Sequence, residues 1–107
     1  MKFAKITLVL SLSLFTVLSY AGGWSNFTKV ASIHQESSGN VYVSYQEMNN
    51  FDGCSSSGWL VLLTTNSAFK TIYSALLTAK VANLDIRYYE STCSTGGYPV
   101  LIHTWIK

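Results

Sequence analysis

Three consecutive stretches decide the fold: Trp59-Leu60-Val61-Leu62-Leu63, then Ala68-Phe69-Lys70-Thr71-Ile72-Tyr73-Ser74-Ala75-Leu76-Leu77-Thr78-Ala79-Lys80, then Leu84-Asp85-Ile86-Arg87-Tyr88-Tyr89-Glu90. The first is a short unbroken apolar run, the pattern of a strand buried on both faces. In the second, Phe69, Ile72, Tyr73, Leu76, Leu77 and Lys80 recur at three- and four-residue spacing, so most of one helical face is apolar. Thr65, Asn66 or Ser67 can start this helix, because their side-chain oxygens accept its orphan N–H groups. Asn83 can stop it, because Asn tolerates the left-handed conformation of helix ends. The third stretch reads as a strand again, with Tyr88 and Tyr89 on opposite faces, one in the core and one exposed.

Working outward, residues 28–35 read as a strand with Val30 and Ile33 as its apolar positions. Ser37-Ser38-Gly39-Asn40 is turn chemistry. Val41-Tyr42-Val43-Ser44-Tyr45 is β-branched and aromatic, which completes a hairpin. Residues 48–57 form a polar loop, and residues 98–106 a last strand with Pro99 confined to its start, where a missing donor is tolerated. The predicted order is β-β-β-α-β-β, preceded by an irregular lead-in carrying Trp24. A mainly β chain with one helix between its third and fourth strands has the order of an OB-fold, a five-stranded Greek-key barrel.

The 107 residues suffice for one domain, and at 11% charged and 49% hydrophobic they are not those of a disordered chain. Residues 1–21 read as a secretory signal peptide: Lys2 and Lys5, then the apolar run Ile6 to Leu18, then Ser19-Tyr20-Ala21 ahead of the cut. The run is short for a membrane span, and residues 22–107 remain as the domain, secreted or periplasmic. The formal charge of +2 belongs to Lys2 and Lys5. The rest balances Lys29, Lys70, Lys80, Arg87 and Lys107 against Glu36, Glu47, Asp52, Asp85 and Glu90. A neutral chain without a basic run argues against a nucleic-acid partner and against a basic membrane-surface patch.

Cys54 and Cys93 are the only thiols, both in turn-rich stretches. An even count in a small exported chain reads as one disulfide, closing a loop of roughly 40 residues. Neither lies in a CxxC pair or near a His at ligand spacing, so neither a metal nor a cofactor is expected. His34 and His103, on the first and last predicted strands, lack a third ligand or a paired carboxylate. Ser55-Ser56-Ser57 lacks the G-x-S-x-G frame of a nucleophile, and Asn26-Phe27-Thr28 is a short sequon of a kind common by chance. The expectation is a non-enzyme. Its many rings with polar tips can stack on sugars, but they serve cores and subunit interfaces equally well.

Several of these runs resemble one family. The first strand ends in Ile33-His34, and Cys54 sits in the loop before the third strand. The helix resembles S-F-x-x-L-Y-x-Q-A-L, Ile86-Arg87-Tyr88-Tyr89-Glu90 resembles R-I-Y-Y-E, and Tyr98-Pro99-Val100 resembles the start of T-Y-P-x-F-V. Together they look like the binding (B) subunits of pertussis-like AB5 toxins, in the branch of subtilase cytotoxin and typhoid toxin, over residues 28–106. The resemblance implies an OB-fold, a homopentameric ring docking a catalytic A subunit, and recognition of cell-surface glycans ending in sialic acid. The family's sugar-contacting Tyr falls on Tyr89, and its sugar-binding Ser on Asn26, with Ser25 beside it. A family Asp falls on Gly22, the family's second-strand Cys falls near Ser44, Cys93 has no family counterpart, and the family's C-terminal extension is absent. The competing expectation is a small exported structural or interaction module without a sugar site.

Overall fold

The computed structural model describes residues 22–107, so the expected signal peptide lies outside the described residues. Its elements run β1 (Gly23–Trp24), β2 (Val30–Gln35), β3 (Val41–Tyr45), β4 (Leu60–Leu62), α1 (Phe69–Ala82), β5 (Ile86–Cys93) and β6 (Pro99–Ile106). The described residues are mainly β with one helix, as expected. The strands form one mixed six-stranded sheet in the order β1-β5-β6-β4-β3-β2, not five strands. The additional strand is the lead-in: Gly23 pairs with Glu90 and Trp24 with Tyr89. Two residues carry no alternation, so no sequence pattern could announce it.

β2 and β3 form the predicted antiparallel hairpin. β4 pairs antiparallel with β3 and parallel with β6, through Val61 and Val100. A parallel neighbour demands a crossover, and α1 with β5 provides it. Leu60, Val61 and Leu62 are all buried, matching the unbroken apolar run. Thr28, ahead of β2, forms a bridge with Ile86 at the start of β5. The Thr28 N–H donates to Ile86 O and the Ile86 N–H to Thr28 O, both at 2.8 Å.

α1 buries Ile72, Leu76 and Ala79 against the sheet, with Phe69 and Tyr73 partly covered beside them. Leu77, expected on this face, is 42% exposed, so the buried stripe is narrower than the sequence periodicity implies. Asn83 ends the helix in the left-handed region, at φ 55° and ψ 47°. At the start, the residue flanking the helix is Ala68, without a side-chain cap. Of the three expected caps, Asn66 comes nearest: its Oδ1 accepts the Ala68 N–H at 2.8 Å, one turn early. Lys29 Nζ donates to Asn83 O at 3.0 Å and to Asp85 Oδ1 at 2.7 Å, which places a cation at the negative end of the helix dipole. The Lys29 hydrogen bond and charge hold the Asp85 carboxyl below its ordinary pKa.

The core is aliphatic around one aromatic pair. Tyr45 and Tyr88 stack with ring centroids 4.4 Å apart, and both are buried. The Tyr88 hydroxyl accepts the Asn49 N–H at 2.9 Å and sits 3.3 Å from Asn49 Oδ1, which ties the long loop after β3 to the core. Cys54 and Cys93 form the expected disulfide, with Cα atoms 5.6 Å apart.

Candidate functional site

The side chains of β1, β5 and β6 that point away from the core share one face because of register. Trp24 lies opposite Tyr89, and Tyr89 opposite His103. Directly paired residues project to the same side of a sheet. Arg87, two residues before Tyr89, lies opposite Trp105. Two rungs of a ladder result: Trp24–Tyr89–His103, and Arg87–Trp105. Their inward counterparts Ile86 and Tyr88 are fully buried.

The rungs are in contact. Trp24 meets Tyr89 edge to face at 5.5 Å, lies nearly parallel to His103 at 6.2 Å, and meets Trp105 edge to face at 6.1 Å. The Arg87 guanidinium sits 4.7 Å from the Trp24 ring centre and 4.8 Å from that of Trp105. Phe27 approaches the same guanidinium at 5.4 Å. Such spacings permit cation–π attraction, and the rings hold the charge in place. Trp105 is 54% exposed, Trp24 and Phe27 37% each. Arg87 Nε is buried without a hydrogen-bond partner. The face is thus an open row of rings around a fixed cation.

Among the residues expected to bind a sugar, Tyr89 stands in the centre of this row. It is half-buried, not the exposed ring that strand alternation suggests, because Trp24 and His103 flank it. Asn26 is exposed and follows β1. Ser25 is 4% exposed, and its hydroxyl is committed to backbone: it donates to Asn26 O at 2.8 Å and accepts the Tyr88 N–H at 3.0 Å. Its place is behind the face, fixing the chain against β5. Gly22 lies, at φ 63°, where a Cβ would run into Glu90 O and crowd the Tyr89 hydroxyl, so only glycine fits there.

Trp24, Arg87 and Trp105 escaped the sequence reading as a group. Their common face depends on β1 joining β5, a pairing with no local signal. The alternation of Arg87 and Tyr89 along one strand was the available clue.

His34 and His103 do not come together. His103 belongs to the Trp24 row, whereas His34 sits with Tyr42 and Trp59 on the other part of the sheet. Among the described residues, no group of three or more His, Cys, Asp or Glu is placed to hold a metal ion. No described helix is long and apolar enough to cross a membrane. No protein family, curated protein or solved structure matches the chain.

Proposed function

We propose that the chain is an exported glycan-binding subunit built on an OB-type barrel, similar in role to the AB5 toxin binding subunits that its sequence resembles. The barrel reading is supported by the parallel β4–β6 pair, the helix between β4 and β5, and the Thr28–Ile86 bridge between the chain entering β2 and the start of β5. In this reading β1 is an addition to the five barrel strands.

The observation that carries the function is the outward ladder of Trp24, Tyr89 and His103 beside Arg87 and Trp105. Ring faces suit the C–H faces of a sugar, and the polar tips of Tyr89 and His103 suit its hydroxyls. Arg87 adds a cation, which suits the carboxylate of a sialylated glycan. Asn26, two residues beyond β1, is exposed and can donate or accept. The module assembles as a homo-oligomer, with a pentamer and a docked catalytic subunit as the arrangement the resemblance implies.

A glycan array with the purified protein tests this reading, followed by titration with a sialylated and a matched asialo oligosaccharide. Binding that weakens in Trp24→Ala and Tyr89→Phe supports it; no binding to any glycan overturns it. The alternative, an interaction module without a sugar site, draws on the same exposed Trp24, Phe27 and Trp105, which would then be covered by a second subunit. Light scattering combined with a silent array would favour that alternative.

A further inference from the structure

A concave region lies outside the Trp24 row, where two loops linked by the disulfide meet β2 and β3. His34 on β2 pairs directly with Tyr42 on β3, so both project to one side. Trp59 arrives from the loop before β4 and Tyr98 from the turn before β6. Those two loops are joined by the Cys54–Cys93 bond and by the Ser56 N–H donating to Gly97 O at 2.9 Å. Gly97 adopts φ 87°, a left-handed conformation that suits glycine. The result is a hollow of about 330 Å³ lined by His34, Glu36, Tyr42, Trp59 and Tyr98.

The rings stand as walls, not as a flat platform. Trp59 and His34 are inclined at 57° with centroids 6.3 Å apart, and His34 and Tyr42 at 52° and 6.4 Å. Tyr42 and Tyr98 are nearly perpendicular, at 79° and 5.3 Å. Mutually inclined rings do not form the single flat platform on which a sugar stacks. The lining holds one carboxylate, Glu36, and neither Lys nor Arg. Desolvation and the Glu36 charge both raise the Tyr42 hydroxyl pKa, so the negative field of the carboxylate reaches the wall. Aromatic faces and a carboxylate attract cations, and one carboxylate with one His is too few ligands for a metal.

We propose that this hollow binds a quaternary ammonium group of the choline type, caged by Trp59, Tyr42, Tyr98 and His34 with Glu36 as counter-charge. A methylated ammonium needs no hydrogen-bond acceptors, which matches a lining of four rings and one carboxylate. The site stands apart from the glycan reading and does not rest on it.

The test is calorimetric titration of the intact disulfide-bonded protein with choline and with 3,3-dimethylbutan-1-ol, its uncharged carbon isostere, at about pH 8, where histidine is ordinarily neutral. Choline is expected to bind about tenfold more tightly than the isostere. Glu36→Gln, a change at an exposed residue, is expected to weaken choline several-fold, and Trp59→Ala to abolish binding, with circular dichroism unchanged in Glu36→Gln. Tyr89→Phe is expected to leave choline binding intact, which separates this site from the glycan face. Phosphocholine in solution and phosphatidylcholine vesicles then tell a soluble ligand from a lipid headgroup. Equal binding of the isostere, no binding of choline to the unmodified protein, or choline binding unaltered in Glu36→Gln would each overturn the proposal.

Discussion

Burial of Glu90 ties stability to pH. The residue is 1% exposed, its Oε2 accepts the Phe51 N–H at 2.7 Å, and its Oε1 has no partner. Desolvation raises its pKa, the Phe51 hydrogen bond opposes the rise, and the nearby Asp52 charge adds to it. The folded state therefore holds the proton more tightly than the unfolded state, so stability from this group falls as pH rises through the carboxylate range. Thermal melting of the wild type and Glu90→Gln across that range is expected to show the wild type losing ground to the variant as pH rises. A wild-type advantage that grows with pH would contradict it. At this scale the sequence was partly legible. Strand alternation separates Tyr88 from Tyr89 without saying which of them faces the core; the structure buries Tyr88. It says nothing of Ser25, whose buried hydroxyl serves the backbone of a strand sixty residues on, because that role exists only after the strands meet.

Among the elements, the helix carries the sharpest tests. Leu76 is fully buried and Leu77, its neighbour, is 42% exposed. Leu76→Ala is expected to cost about 2–5 kcal/mol and Leu77→Ala under about 1 kcal/mol, read by denaturant unfolding. Similar costs at both positions would mean that the helix is rotated from the described orientation. Asn83→Gly is expected to be neutral or nearly so, while Asn83→Ala costs about 1 kcal/mol for forcing a Cβ into the left-handed region. The helix, the β2–β3 hairpin and the β4 core strand were readable because each has a period or a propensity of its own. The helix start was less so: Asn66 binds the Ala68 N–H ahead of the first full turn, a local competition among three cap-forming residues that sequence leaves open. β1 was invisible, since two residues become a strand only by borrowing the edge of β5.

For the whole molecule, the Cys54–Cys93 bond and the Thr28–Ile86 bridge tie together segments distant in sequence. Chain-entropy arguments give the disulfide up to about 4 kcal/mol, a large share of the stability of a small domain. Replacing both cysteines by Ser is expected to lower the melting temperature clearly while α1 remains visible by circular dichroism below the transition. An unchanged melting temperature would show that the unfolded state gains nothing from losing the cross-link. The pairing itself was legible from a count of two cysteines, whereas its effect on the Trp59 and Tyr98 loops was not, because it depends on the bulged end of β5 carrying Cys93 beside the turn that precedes β6.

The distribution of indoles has an optical consequence. The buried stacked rings are tyrosines, Tyr45 and Tyr88, while Trp24 and Trp105 are exposed and Trp59 is half-buried. Tryptophan emission is therefore expected to shift less on unfolding than that of a fully buried indole. It reports the surface well, with two indoles on the β1–β5–β6 face and one on the disulfide-linked hollow. A Trp59→Phe variant would silence one surface and a Trp24→Phe/Trp105→Phe pair the other, so each ligand would be followed by a lamp of its own.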